Sequence, residues 1–540
     1  AMDHASWEDF LATLNQHRQN VSLHFSNIVA DDNHTQNDQD LGVWRDMWLN
    51  DCDPEDQPDE SEQIQNLLQT LRDNHAAINM QAIGKQRLDK AMPLLLKALW
   101  EGETPLVTLE RLIPLLQSIL RRTAYLVLLT ENPQAMAQLV RLCESSPWIA
   151  QSINETPLLL DELLHPAHLF NCGDKLSMAD DLNQRLLRIP EDDLEEQMDA
   201  LRHFHKAHRL QIAASEVTGV LPLMKVSDHL TWLAETILET SMNLAWQQMV
   251  AKYGHPTNAE GEAVLAAEFI ILGYGKMGGI ELSYDSDLDL VFIHNGLANK
   301  YTTGVNGKRE QENGVFYTRM GQRLIHIMNT TTRAGQLYEV DMRLRPSGAS
   351  GMIAASLNGF NKYQSEEAWT WEHQALVRAR VICGDSQLEN EYVQIRSKIL
   401  AKDRNPPNLQ QEVREMREKM RDNLGSQSVG KAQYQLKQDV GGIVDIEFMV
   451  QYLVLANSSA HPSLLSWTDN VRILDTLASE NILDTKQSEA LKEAYIAYRS
   501  LAHRRALQNQ KLLLSPDELD QAGLTNHIDT VSKLWDQIIN

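Results

Sequence analysis

Around residue 268 the hydrophobic period of the chain changes, and that change restricts the possible folds more than any other feature. Phe269-Ile-Ile-Leu272 is a short apolar run that ends in Gly273, Gly275, Gly278 and Gly279. Acidic and apolar residues then alternate in Asp287-Leu-Asp-Leu290. An apolar run stopped by glycines and followed by period-two alternation signals strand, turn, strand. A helical pattern at 316–328 and another strand candidate at 337–344 complete a compact α/β insert.

Everything around this insert reads as helix. Apolar residues recur at helical spacing from Trp7 through Phe10, Leu11 and Leu14, and on to Val21, Phe25 and Ile28. Polar, acidic stretches at 31–40 and 51–60 read as solvated loops. Helical patterns resume at 64–71, 94–99, 109–129, 135–142 and 230–251, with Pro133, Pro147 and Pro157 as breaks. They return after Leu357 at 410–421, 443–455, 488–507 and 528–538. Only 6% of the residues are aromatic, while Leu, Ala, Gln and Glu abound, which favours helix over sheet. The expected fold is mainly α with an α/β insert. The predicted division is a helical domain at 1–251 (with 1–60 a linker or regulatory segment), a catalytic domain at 252–355 and a helical bundle at 356–540. Ala1 ahead of Met2 reads as a cloning remnant on an excised fragment.

The formal net charge of −25 sets a field that repels a phosphate backbone, and no long Lys/Arg stripe offsets it. A nucleic-acid polymer is therefore excluded as the expected partner, whereas a small nucleotide carried with metal ions is compatible. The four cysteines, Cys52, Cys143, Cys172 and Cys383, are widely separated and form no metal-binding pair. With no apolar run long enough to cross a bilayer, this points to a cytoplasmic protein and no membrane contact.

Gly273, Gly275 and Gly278 form a formal GxGxxG after a strand, but a dinucleotide site needs a following helix and a more distant acid. Gly279 interrupts the helix start and the acids come too early. Asp287 and Asp289 give a better account, because residues two apart in a strand share a face while Leu288 and Leu290 pack inward. Two hard oxygen ligands on one face suit Mg2+, and the glycines would let backbone approach a triphosphate. Asp-x-Asp pairs also occur at Asp38/Asp40 and Asp51/Asp53 in polar loops, so spacing alone leaves catalysis and a solvated acidic face both open. Glu339, Asp341, Arg343 and Arg345 fall on one face of the next strand candidate, where metal and phosphate would bridge the two strands or salt bridges would line a surface.

At these residues the sequence resembles a known family. Gly278-Gly279, Ser286-Asp-Leu-Asp289 and Asp341 are similar to the DNA polymerase β-like nucleotidyltransferase signature. The longer strings at 273–292, 338–348, 368–380 and 437–448 resemble the glutamine synthetase adenylyltransferases, most closely their C-terminal, adenylylating half. The resemblance implies a polymerase β-like domain between two helical domains. It also implies AMP transfer from ATP to a tyrosine of glutamine synthetase, with PII signal protein and glutamine as regulators. Carried over, Asp287, Asp289 and Asp341 would be the catalytic Mg2+ ligands, with Asp341 or the metal easing removal of the tyrosine proton. Gly278, Gly279 and Ser286 would line the phosphates, and Lys276, Arg343 and Arg345 would balance charge. The alternatives are the de-adenylylating half of the same enzyme and a catalytically silent helical scaffold. Trp369, Trp371, Arg378 and Arg380 are compatible with a nucleotide-pocket wall, packing being the preferred reading of the two tryptophans, and Asp445 and Glu447 read as helix-start carboxylates with no catalytic role assigned.

Overall fold

A computed structural model describes residues 41–50, 61–164, 166–305, 310–426 and 433–540. The helix expected around Trp7 and the polar loops at 31–40 and 51–60 lie outside them. The chain divides into two compact units, Ala1–Ser145 with Ile153–Leu164, and Ser146–Ser152 with His165–Asn540.

The described part of the first unit is helical. Its main helices are Ser61–Arg72, Ala82–Trp100, Pro105–Ile119, Ala124–Glu131 and Pro133–Ser145. Ile64, Leu68 and Leu71 are fully buried along one stripe, as are Leu109, Leu112 and Leu116 along another. Burying each such side chain contributes about 1.5–3 kcal/mol. Pro105 and Pro133 open their helices, where a missing N–H costs nothing. The pattern at 109–129 is not one helix: the polar Arg121-Arg122-Thr123 separates two, and Arg122 N donates to Ile119 O in the turn between them.

The second unit holds the sheet. Two long helices, α1 (Leu194–Val217) and α2 (Leu223–Tyr253), precede it. The strands are β1 (Phe269–Gly273), β2 (Leu288–His294), β3 (Val340–Asp341), β4 (Ala354–Ser356) and β5 (Arg380–Gly384). The order is β3-β2-β1-β5, and β4 shares the β2 edge with β3. β1 runs antiparallel to β2 and β5, whereas β3 and β4 run parallel to β2. Between β1 and β2 there is only a one-turn helix, α3 (Gly275–Gly278), so the glycine motif does not open a parallel β-α-β unit.

Both faces of the sheet are covered. Ile270, Leu272, Val291 and Ile293 join a core with C-terminal residues such as Ile446, Met449 and Tyr495. On the other face Phe269 and Phe292 lie 5.5 Å apart, and Trp246 of α2 meets Phe316 of α4 (Asn313–Asn329) at 5.6 Å. Burial on both sides explains the unbroken apolar run of β1. Three helices of the C-terminal part matter below: α5 (Thr370–Val377), α6 (Pro406–Leu424) and α7 (Ile443–Asn457).

Two sequence expectations need correction. The strand candidate at 337–344 shrinks to Val340 and Asp341, because the chain turns at once, with Arg345 N donating back to Met342 O at 3.3 Å. Arg343 and Arg345 therefore do not continue a strand face. β5, which the sequence reading missed, comes from Val381-Ile-Cys383, too short to stand out among helical patterns.

Candidate active site

Asp287, Asp289 and Asp341 come together where β2 meets β3. The register pairs Asp289 with Asp341, and Leu288 N donates to Glu339 O at 2.9 Å. One carboxylate oxygen from each of the three lies within 4.8 Å of the others. Leu288 and Leu290 are fully buried beneath them, as the alternation requires. Partial burial and the neighbouring charges of Asp287 and Asp341 push the Asp289 carboxyl up to about 6. Three acids held this close could hold a cation, and a divalent ion with oxygen ligands fits the donor set.

The glycine turn shapes the floor of this site. Tyr274 N donates to Asp289 O at 2.9 Å, tying the turn to β2. Gly275 has φ +54°, and a Cβ there would sit 2.6 Å from Asp289 Oδ2, so glycine is required for backbone and carboxylate to approach. Gly278 and Gly279 are held within the turn. Their amides donate to Tyr274 O at 2.9 Å and Gly275 O at 3.0 Å within the turn, and a Cβ on either would strike Arg378. Neither amide is directed at the acids, and both glycines serve close packing.

Behind the turn lies a buried ionic network. Arg378, 3% exposed, pairs with the buried Glu281 and reaches Glu447 Oε1 at 2.6 Å. Tyr495 Oη donates to Glu281 Oε2 at 2.5 Å, and Arg499 donates to Glu281 O at 2.8 Å. Thr468 and Arg380 donate to Gly278 O at 2.7 and 3.1 Å. Arg378 and Arg380 thus brace the turn from behind. Glu447 joins this network. Asp445 is fully buried against Arg417 at 2.6 Å, so it is an ion-pair partner and not only a helix-start carboxylate.

The remaining sequence candidates divide. Lys276 donates to Ser283 Oγ and Ser286 Oγ at 3.3 Å each, and Ser286 Oγ also accepts from Ser283 N at 3.0 Å. The cleft around it, then the charges of Lys437 and Arg499, hold the Lys276 ammonium below its usual range although part of the side chain reaches solvent. Arg343 clasps Asp341, with Nε 2.7 Å from Oδ2 and the backbone N 2.8 Å from Oδ1. This clasp keeps Asp341 below the usual carboxylate range, which makes it a poorer proton acceptor than the sequence reading supposed. Arg345 faces away, donating to Met342 O at 2.7 Å and Ala349 O at 3.0 Å, and so stabilises the turn after β3. Lys437, given no role from sequence, acts on both Asp289 and Lys276. Its place just before Asp439-Val-Gly-Gly442 was legible, but its approach to the acids was not.

A cleft of about 370 Å³ opens beside the acids, lined by Arg209, Tyr284, Ser286, Asp287, Tyr338 and Glu339 among others. A larger one of about 1020 Å³, between α1, α2 and α4, contains none of the acids. Of the three acids Asp287 lines the smaller cleft, so the larger cavity is not the one that adjoins the cluster. Trp369 and Trp371, expected as packing residues, are 70% and 37% exposed.

Residues 136–395 match the model of the glutamate-ammonia ligase adenylyltransferase family, and residues 409–524 that of GlnD PII-uridylyltransferase. The chain is 48% identical to a bifunctional glutamine synthetase adenylyltransferase/adenylyl-removing enzyme of Pseudomonas syringae pv. tomato, over 96% of the chain and 55% of that protein. It is 46% identical to the enzyme so named in Pseudomonas putida, over 99% of the chain and 56% of that protein. The chain spans about half the length of the curated relatives it matches. Among the described residues no helix is long and apolar enough to cross a membrane.

Proposed function

The chain belongs to the glutamine synthetase adenylyltransferase family, and from that premise we propose that it transfers AMP from ATP to a tyrosine of glutamine synthetase. The observation that carries this reading is the convergence of Asp287, Asp289 and Asp341 on adjoining strands beside Lys276. The domain at 252–355 is then the nucleotidyltransferase module, polymerase β-like, between helical regions. Glutamine synthetase is the protein substrate, PII protein and glutamine are the regulators, and the cytoplasm is the setting.

In this reading Asp287, Asp289 and Asp341 would hold a divalent ion such as Mg2+, which would supply positive charge against the transferred phosphoryl group. Lys276 and Lys437 supply positive charge for the triphosphate, and Ser283 and Ser286 fix the Lys276 ammonium. Arg343 holds the Asp341 carboxylate in place through its Nε and backbone N. The tyrosine hydroxyl gives up its proton to solvent water, its oxygen forms a bond to the α-phosphorus, the bond from that phosphorus to the oxygen bridging to the β-phosphate breaks, and pyrophosphate leaves. The Arg378–Glu281 network keeps the turn rigid during this exchange.

Incubation with glutamine synthetase, Mg2+ and α-labelled ATP is expected to place label on the synthetase and release pyrophosphate. Phosphate-dependent release of ADP from modified synthetase, without forward labelling, would instead identify the adenylyl-removing direction. Asp287→Asn with Asp289→Asn is expected to abolish labelling while leaving the circular dichroism spectrum unchanged. Undiminished Mg2+-dependent ATP affinity in that double variant would point to the scaffold reading.

A further inference from the structure

Trp369 and Trp371 stand at the start of α5, and neither packing nor capping accounts for them. Trp369 occupies the N-cap position, where small polar residues are favoured, and its side chain makes no cap. It is 70% exposed, an unusual state for so large an apolar surface.

The backbone that presents the indoles is nevertheless fixed. Buried Glu372 accepts from Trp369 N and from Tyr363 Oη, each at 2.9 Å. The Thr370 hydroxyl bonds Glu412 of α6. Such locking lowers the entropy cost of binding at this face. A groove of about 450 Å³ runs beside the indoles, and Glu367, Glu412, Glu415 and Lys419 supply its charges.

The surplus of carboxylates selects the occupant. A polyphosphate or an anionic lipid surface would be repelled, as would a second copy of a chain with net charge −25. A cationic side chain would gain from the glutamates and from the indole faces together. The face is also tied to the acid site. Tyr363 lies against the backbone of Ser347, in the turn that Arg345 holds directly after Asp341.

We propose that the Trp369/Trp371 face docks the protein acceptor, gripping a basic segment of it while the acceptor's tyrosine reaches Asp287, Asp289 and Asp341. This inference rests on the AMP-transfer reading of the acid site. The test is steady-state labelling of glutamine synthetase by Trp369→Ala/Trp371→Ala, alongside Mg·ATP binding by calorimetry. The expected result is a KM for glutamine synthetase raised about tenfold or more, with kcat and Mg·ATP affinity unchanged. Glu367→Lys/Glu415→Lys, which keeps the indoles, should raise the same KM and weaken its dependence on salt. An unchanged KM in both variants overturns the docking role while leaving the reaction intact. A fall in Mg·ATP affinity with the KM for the synthetase unmoved overturns it in favour of a nucleotide-side role. Absence of labelling by the unaltered protein would instead sink the AMP-transfer reading, and this one with it.

Discussion

At the residue scale, Asp289 stands where function and stability oppose each other. Three carboxylates share one corner of the sheet, and with no cation they repel. Asp289→Asn is therefore expected to raise the melting temperature in the presence of a chelator, by on the order of 1 kcal/mol of stability. The same change should abolish Mg2+-dependent stabilisation, which differential scanning calorimetry with and without Mg2+ would show. An equal or lower melting temperature in chelator would mean that like-charge repulsion is not what Asp289 contributes. Gly275 makes the reciprocal case. With φ +54° and Asp289 Oδ2 2.6 Å from where a Cβ would lie, Gly275→Ala has both strain and collision against it. A loss of about 1–2 kcal/mol is expected in urea denaturation, together with weaker Mg2+ binding. A variant as stable as the parent would show that the turn can shift away from the acid.

Among elements, the turn between β1 and β2 is held less by its own hydrogen bonds than by the buried network behind it. Glu281 and Arg378 are both shielded from water and both multiply bonded. Removing one leaves the other's charge uncompensated, which costs about 3–5 kcal/mol for a buried pair. Glu281→Leu should accordingly lower the unfolding free energy measured by denaturant titration by about 3–5 kcal/mol and depress AMP transfer even where the protein remains folded. A shift below about 1 kcal/mol would mean that Glu447 alone satisfies Arg378. The element scale also shows why Arg345 departs from its expected place. It bonds the carbonyls of the turn that follows β3, and that turn ends the strand after two residues.

For the molecule as a whole, acid lability follows from its buried histidines. His294 is 3% exposed and stacks on Tyr317 at 5.0 Å, and burial lowers its pKa from 6.5 to about 4. His205, His229, His373 and His503 are lowered for the same reason. Between pH 4 and 6.5 the unfolded chain binds more protons than the folded one, so stability rises with pH across that window. It is complete above about 6.5 and declines as pH falls toward 4, with His294 alone contributing about 3 kcal/mol. Chemical denaturation at pH 7 and pH 5 is expected to show the loss, and His294→Gln should flatten part of it. A midpoint independent of pH over that interval would contradict the burial assigned to these rings.

Local pattern made the principal elements and the central acid pair readable before any coordinates. Alternation around Asp287 and Asp289 specified a half-exposed strand edge, and the glycines specified a turn, because both follow from periods of two to four residues. The partners of those residues lie far off in sequence. Glu281 meets Tyr495, Gly278 receives Thr468, and Lys437 approaches Asp289, and no local period encodes such pairings. Tertiary packing therefore decided that Gly278 and Gly279 seat Arg378, that Arg343 clasps Asp341, and that Trp369 faces solvent. The acid pair was legible because neighbouring residues determine strand alternation. What surrounds it was not, because that depends on which distant helices the fold brings to its back.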